Sequence, residues 1–333
     1  MVQTEPEVFS AHKFIYDTLE KEATKHLYDG SEEYFNSKPF LPEYYDEKKI
    51  KRAQHFFEQN ISSMLLVSLT GLILMLSYPR GIKLLLATNK SSEPLTAYKR
   101  YRDTMKHMVS WYRGDFTVGS SLYNSLLKVR RMHNAAVRLG LKKGDDFNID
   151  QALMGSTAYG FFGLALAKQK EFGLSSASDE DLEALVHFWR VIGYMLGVDD
   201  RFTICRESLK ETRDICIEIT NQVTEYLYLK DPGSLMLQFA ILDGNNLVIP
   251  AFDSNLFMNF IYDLCNVKPE LYYPMTTHQK FLLTMIKRSF ESMNYSLIRR
   301  FFNSRTRYII YLIHMHPEII EHNINDTDLL TLI

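Results

Sequence analysis

One histidine stands apart by its neighbours. Leu122, Leu126, Val129, His133 and Val137 recur at steps of three and four, so they share one helix face and His133 points inward. Ala135 and Ala136 keep the adjoining surface low, and Arg130, Arg131 and Arg138 sit to the sides of the stripe. A buried neutral imidazole on a wall of little bulk is what an axial haem ligand requires, with one ring nitrogen on iron and the other held by an acceptor. The guanidinium groups beside it suit haem propionates. A core histidine satisfied by a carbonyl has the same periodicity.

A second group lies on the preceding helix. Arg100, Thr104, His107 and Trp111 fall on one arc, beside an apolar stripe of Ala97, Tyr101, Met105, Met108 and Tyr112. An Arg and a hydroxyl one turn apart can hold an anionic group or orient a bound oxygen species; binding a helix end or a carboxylate is the commoner use. Further along, Leu182, Leu185, Val186, Trp189, Gly193 and Leu196 make an inward face, from which His187 and Arg190 turn away and read as solvated. Gly193 in mid-helix implies close approach by another helix or a ligand. His314 and His316 resemble a metal pair only superficially, because alternate helical residues point apart. Arg299 to Arg307 mixes basic and aromatic residues, as a helix on an anionic membrane surface does and as a solvated helix face also can.

The elements that must position these groups are helical. The chain has 333 residues, 46% of them hydrophobic, enough to fill a core. Its 15 Gly and 10 Pro fall well below the usual share of about 12%, too few turn residues for a β-sandwich or barrel. A net charge of -2 gives no overall basic field for nucleic acid. The 20 Tyr and 21 Phe suit large apolar pockets as well as a thick core. Cys205, Cys216 and Cys265 are an odd set without C-x-x-C spacing, which favours a reducing, intracellular compartment over a disulfide framework or structural zinc. The opening MVQTEPEVFSAHKF places acids before any apolar run, unlike a secretory signal peptide.

The pattern predicts one all-α domain: an arm at 1–55, a body at 56–320 and a tail at 321–333. From Gln59 to Pro79 no residue is charged, a run long enough to cross a bilayer but diluted by Asn60, Ser62, Ser63, Ser68, Thr70 and Gly71, so a buried core helix is the expectation. Helices follow at about 95–112, 122–139, 150–168, 179–196, 203–229, after Asp231-Pro232-Gly233-Ser234, and at about 250–265, 277–293 and 295–316. Ser178 with Asp181 marks a helix start, and Gly197 a stop.

The order of these motifs resembles a known family. Arg100 and Thr104, then Val129 to His133 (V-R-R-M-H), then Asp150-Gln151 opening a helix, then His187 to Asp200 (H-F-W-R-V-I-G-Y-M-L-G-V-D-D) is similar to the haem-binding oxygenases. These include the latex-clearing rubber oxygenases and the fungal endoplasmic-reticulum oxygenase of mycophenolic acid synthesis. The resemblance implies an all-α, globin-like bundle enclosing one b-type haem, with His133 as axial ligand and Arg100 and Thr104 on the distal side. It also implies O2 and a reductant, a hydrophobic unsaturated substrate cleaved to carbonyl products, and association with the endoplasmic reticulum or another membrane. Two departures stand out. Where some members place a Lys before the Thr, this chain has Asp103, and Tyr78 to Ser92 lacks the acid that rubber-cleaving members place upstream of the Arg, Glu93 being the first.

Nucleotide-binding and hydrolase motifs are absent: no G-x-G-x-x-G, P-loop, H-E-x-x-H or G-x-S-x-G occurs. The resemblance therefore implies a haem-dependent oxygenase. Its rival is a non-catalytic helical lipid-binding or scaffold protein that keeps the fold.

Overall fold

The computed structural model describes residues 9–79, 81–88, 90–144, 147–246 and 253–315. Among these the chain is an all-α multi-helix bundle of fifteen α-helices without a strand, and its one β-type contact is an isolated bridge between Leu27 and Asp150. Two short helices, α1 (Ala11–Lys13) and α2 (Glu32–Asn36), flank a π-helical stretch at Phe14–Glu22 whose Phe14, Ile15 and Leu19 are buried against the body. α3 (Glu47–Gln59) starts at Asp46, whose carboxylate accepts from the Lys48 and Lys49 N–H groups as an N-cap should.

The uncharged run forms one buried helix, α4 (Ile61–Met75), as expected; a break at Asn60 marks its start, where α3 meets α4 at 93°. A break inside an apolar core leaves backbone groups that need partners. Asn303, from the far end of the chain, supplies them: its Nδ2 donates to the Gln59 carbonyl at 2.7 Å and its Oδ1 accepts from the Ser62 N–H at 3.1 Å. α4 is then 15 residues, about 22 Å, against about 30 Å of bilayer hydrocarbon. No single described helix is long and apolar enough to cross a membrane; the bent pair of α3 and α4 is so only by combined length and composition.

α4 is the central packing helix, buried over most of its surface. α9 (Tyr159–Ala167) runs along it so closely that a Cβ on Gly71 would stand 2.5 Å from the Gly160 carbonyl oxygen. Only glycine permits such backbone contact. Ser68 ties the pair by donating to the Phe161 carbonyl at 2.9 Å. The helix expected at 150–168 divides at Ala158 into α8 (Gln151–Thr157) and α9, where Ser156 and Thr157 donate back to the Ala152 and Leu153 carbonyls and bend the chain.

Other boundaries follow local capping. α5 (Ile82–Ala87) precedes α6 (Pro94–Arg113), which opens with Pro in its first turn, and α7 (Ser121–Lys143) is capped by Ser120. α10 (Asp179–Leu196) has the expected box, Ser178 accepting from the Asp181 N–H and Asp181 from the Ser178 N–H, and ends at Gly197 with φ 93°. α11 (Leu209–Leu229) begins six residues later than the pattern predicts, because Ser208 caps it and the Thr203 and Thr212 hydroxyls hold the preceding turn. α12 (Pro232–Asn246), α13 (Ser254–Leu264), α14 (Thr277–Ser292) and α15 (Ser296–Met315) complete the bundle. α10 lies on α3, α12 on α6, α11 on α9, and α6 beside α7.

Candidate active site

α7 presents the stripe that its spacing predicts: Leu122, Leu126, Val129 and Val137 are buried. His133 lies on the same side, half-buried as a residue, with Nδ1 sealed from solvent without a hydrogen-bond partner. Such a sealed, unpaired ring nitrogen costs about 1–3 kcal/mol unless something else occupies it. The Tyr28 ring meets the imidazole edge-on at 6.0 Å and is itself fixed by its hydroxyl, which donates to the Leu196 carbonyl at 2.6 Å. Tyr28, Leu84, Val137, Ile149, Met154 and Val198 form a small apolar cluster separate from the main core, with Ala136 at its edge.

Across from this wall, α6 carries Arg100 and Thr104, both half-buried. The Arg100 Nη1 donates to the Ser91 hydroxyl at 2.8 Å, and Thr104 donates to the Arg100 carbonyl at 3.1 Å. Arg100 is the charge that acts most strongly on His133, so the two helices bring these groups within electrostatic reach though not into contact. α6 and α7 are pinned at Ser125, whose hydroxyl meets His107 Nδ1 at 2.7 Å and accepts from Trp111 Nε1 at 2.8 Å. The two departures from the family pattern are visible here. Asp103 is exposed and paired with Arg102 at 3.1 Å, and exposed Glu93 serves α6 through its carbonyl, which accepts from the Ala97 N–H. An acid does reach the Tyr78–Ser92 stretch from elsewhere: Tyr78 donates to Glu20 at 3.3 Å.

Two of the three flanking arginines have partners that the sequence did not reveal. Arg130 is buried, donates to the Met195 carbonyl at 3.1 Å and the Ser31 carbonyl at 3.3 Å, and lies over the Phe35 ring at 4.7 Å. It thereby neutralises the C-terminal end of α10 and holds the N-terminal arm. Arg131 pairs with Glu32 at 2.8 Å on the surface. Arg138 is exposed.

On α10 two expectations are corrected. Arg190 is not solvated: it grips Asp200 through two bonds of 2.9 and 2.7 Å, reaches Glu207 at 3.4 Å and covers the Tyr44 ring at 4.1 Å. His187 is half-buried too, its Nε2 accepting from the Asp46 N–H at 3.1 Å. Gly193 is not a close-approach site, since an added Cβ would meet only Val198, at 3.8 Å. Gly193→Ala is therefore expected to raise stability by about 0.5–1 kcal/mol, read as a higher urea midpoint, because the helix gains propensity with room for the methyl. The motif residues Asp150 and Gln151 turn out to be clamps. Asp150 caps α8, while Gln151 donates to the Gly197 carbonyl at 3.1 Å and accepts from the Asp199 N–H at 3.0 Å.

Burial, then the Arg100 and Arg130 charges, push the His133 pKa down to about 4, and burial pushes His187 down to about 4 as well. Both rings are thus neutral in the folded protein at neutral pH. An unfolded chain takes up these protons near 6.5 and the folded one only near 4, so stability held above pH 6.5 drains as pH falls through that window. The loss is expected to reach about 3 kcal/mol from His133, with less from the more polar surroundings of His187. Urea midpoints followed from neutral pH to about pH 4 measure it, and a profile unchanged in His133→Ala contradicts the assignment.

Among the described residues no three His, Cys, Asp or Glu side chains converge. No curated protein and no solved structure matches the chain. Residues 57–236, from the end of α3 into α12 and including every group above except those of the N-terminal arm, match the family described as ER-bound oxygenase mpaB/B'/Rubber oxygenase, catalytic domain. The protein belongs to that oxygenase family.

Proposed function

We propose that the protein is a haem-dependent oxygenase acting on an apolar, unsaturated substrate of isoprenoid or lipid type, with O2 and an external reductant. The observation that carries this reading is the orphaned imidazole of His133, without a hydrogen-bond partner at Nδ1 and kept neutral, so that one ring nitrogen keeps a lone pair for a metal at physiological pH. A metal held by protein side chains alone would need several converging ligands, whereas a porphyrin brings four of its own and asks the protein for one. When bound, haem b would supply the redox centre for adding oxygen from O2 to an alkene.

The chain's own contributions follow from their positions. His133 would hold the iron, and Tyr28 orients its ring. Arg100, steadied by Ser91, offers guanidinium donors and positive charge on the facing helix; the Thr104 hydroxyl, one turn along, adds a donor that can turn from the Arg100 carbonyl toward a ligand. Arg138 is the one flanking arginine left without a partner among the described residues and so is the one able to meet a propionate, while Arg130 and Arg131 hold the arm in place. The apolar cluster around Tyr28 excludes water from the imidazole side.

Titrating the purified full chain with haemin tests the proposal. A saturable Soret band at one haem per chain, followed by O2 consumption on adding reductant and a polyunsaturated isoprenoid, is the expected result. Protein that stays colourless in excess haemin overturns it.

A further inference from the structure

α15 is amphipathic on two sides, and only one of them is used by the fold. Its inner side carries Asn303 and Thr306, which bind the α3–α4 break, and Ile310, which packs on the main core. On its outer side Leu297, Phe301, Tyr308 and Tyr311 are 77%, 64%, 61% and 53% exposed. At 3.6 residues per turn these four form a single strip along the helix. Arg300 and Arg307 border the strip on one edge and Arg305 on the other. Arg307 is held by Glu58, but Arg300 and Arg305 have no partner among the described residues, and α15 contains no Asp or Glu at all.

We propose that this outer face of α15 lies flat on an anionic lipid bilayer, with the apolar strip in the headgroup boundary and Arg300 and Arg305 at lipid phosphates. Charge complementarity selects this occupant. A strip of aromatic and aliphatic side chains with unpaired cations on both flanks and no acid matches a surface that is apolar below and uniformly negative above. A protein partner would have to repeat that layered pattern. Tyr308 and Tyr311 suit the boundary because their rings can be buried while their hydroxyls stay wet. The helix is already folded and anchored from behind, so docking costs little ordering. The inference is independent of the haem reading, although an apolar substrate of the proposed kind would dissolve in the same bilayer.

Cosedimentation of the full chain with phosphatidylcholine vesicles, with and without about one third phosphatidylserine, tests it. Binding is expected to the anionic vesicles and to weaken as salt is raised. Phe301→Glu, and separately Arg300→Glu with Arg305→Glu, should each lower the partition about tenfold or more while circular dichroism and thermal midpoint stay unchanged, because these side chains point outward. Failure of the wild type to bind, variants that partition as the wild type does, or a dimer in solution that Phe301→Glu dissociates would each overturn the proposal, the last by showing that a second copy covers the strip.

Discussion

His133→Ala is expected to lose the Soret band that wild-type protein gains with haemin, with affinity falling more than about 100-fold, and to regain a band when free imidazole is supplied. Apo-protein stability is the control that gives this result its meaning. A histidine serving only the core would have its nitrogens satisfied, and truncating it would cost about 2–5 kcal/mol in lost packing and an abandoned partner. His133 has no such partner to abandon. Truncation leaves a cavity but also removes an unsatisfied buried nitrogen, two effects of opposite sign and similar size. The apo variant should therefore unfold within about 1 kcal/mol of wild type at neutral pH. Loss of haem binding with retained stability supports ligation, whereas a large drop in apo stability would return His133 to the core. Arg100→Ala is the companion measurement, since removing the charge that acts most strongly on it should raise the His133 pKa while leaving the imidazole available to a metal.

How much of this was legible beforehand divides along a physical line. The stripe of α7 and the capping box of α10 are local in sequence: periodicity and a three-residue reciprocal hydrogen bond are written within one element, and both are found where the pattern puts them. The α3–α4 break is not local. Asn60 marks it and donates to the Phe56 carbonyl at 2.9 Å, but the Gln59 carbonyl and the Ser62 N–H are satisfied by Asn303, more than 240 residues away, which the uncharged run cannot announce. The same holds at the site. His133, Arg100 and Thr104 can be picked out by type and spacing, but the residues that steady them, Tyr28 from the N-terminal arm and Ser91 before α6, have no spacing signal. Arg190 is misread for a related reason, and the partners of Arg130 and Arg131 go unseen for the same one. An arginine beside a stripe looks solvated until the carbonyl or carboxylate it meets is known, and those partners lie on other elements. Glycine is the sharpest case. Gly193 and Gly71 are both mid-helix in the sequence, and only the crossing geometry tells that the second is in contact and the first is not.

That contrast makes the Gly71 substitution a disruptive one even though it adds a single methyl. Gly71→Ala places its Cβ 2.5 Å from the Gly160 carbonyl oxygen and 3.0 Å from its carbonyl carbon, where the obstacle is backbone inside a helix rather than the end of a side chain. Neither group can rotate aside, so α4 and α9 must separate along the contact they share most extensively. Helix propensity favours Ala by about 1 kcal/mol, and overpacking opposes it by about 1–3 kcal/mol or more, so the net effect is destabilising. Larger residues have no such compensation, and Gly71→Leu is expected to yield no soluble folded protein. The partner glycine should behave more mildly. A Cβ on Gly160 meets the Leu72 side chain at 3.1 Å and the Met75 side chain at 3.4 Å, and both can shift to other rotamers. The expected order of urea midpoints is therefore Gly193→Ala above wild type, Gly160→Ala just below it and Gly71→Ala lowest. An equal fall for Gly71→Ala and Gly160→Ala would mean that α4 and α9 cross in a different register.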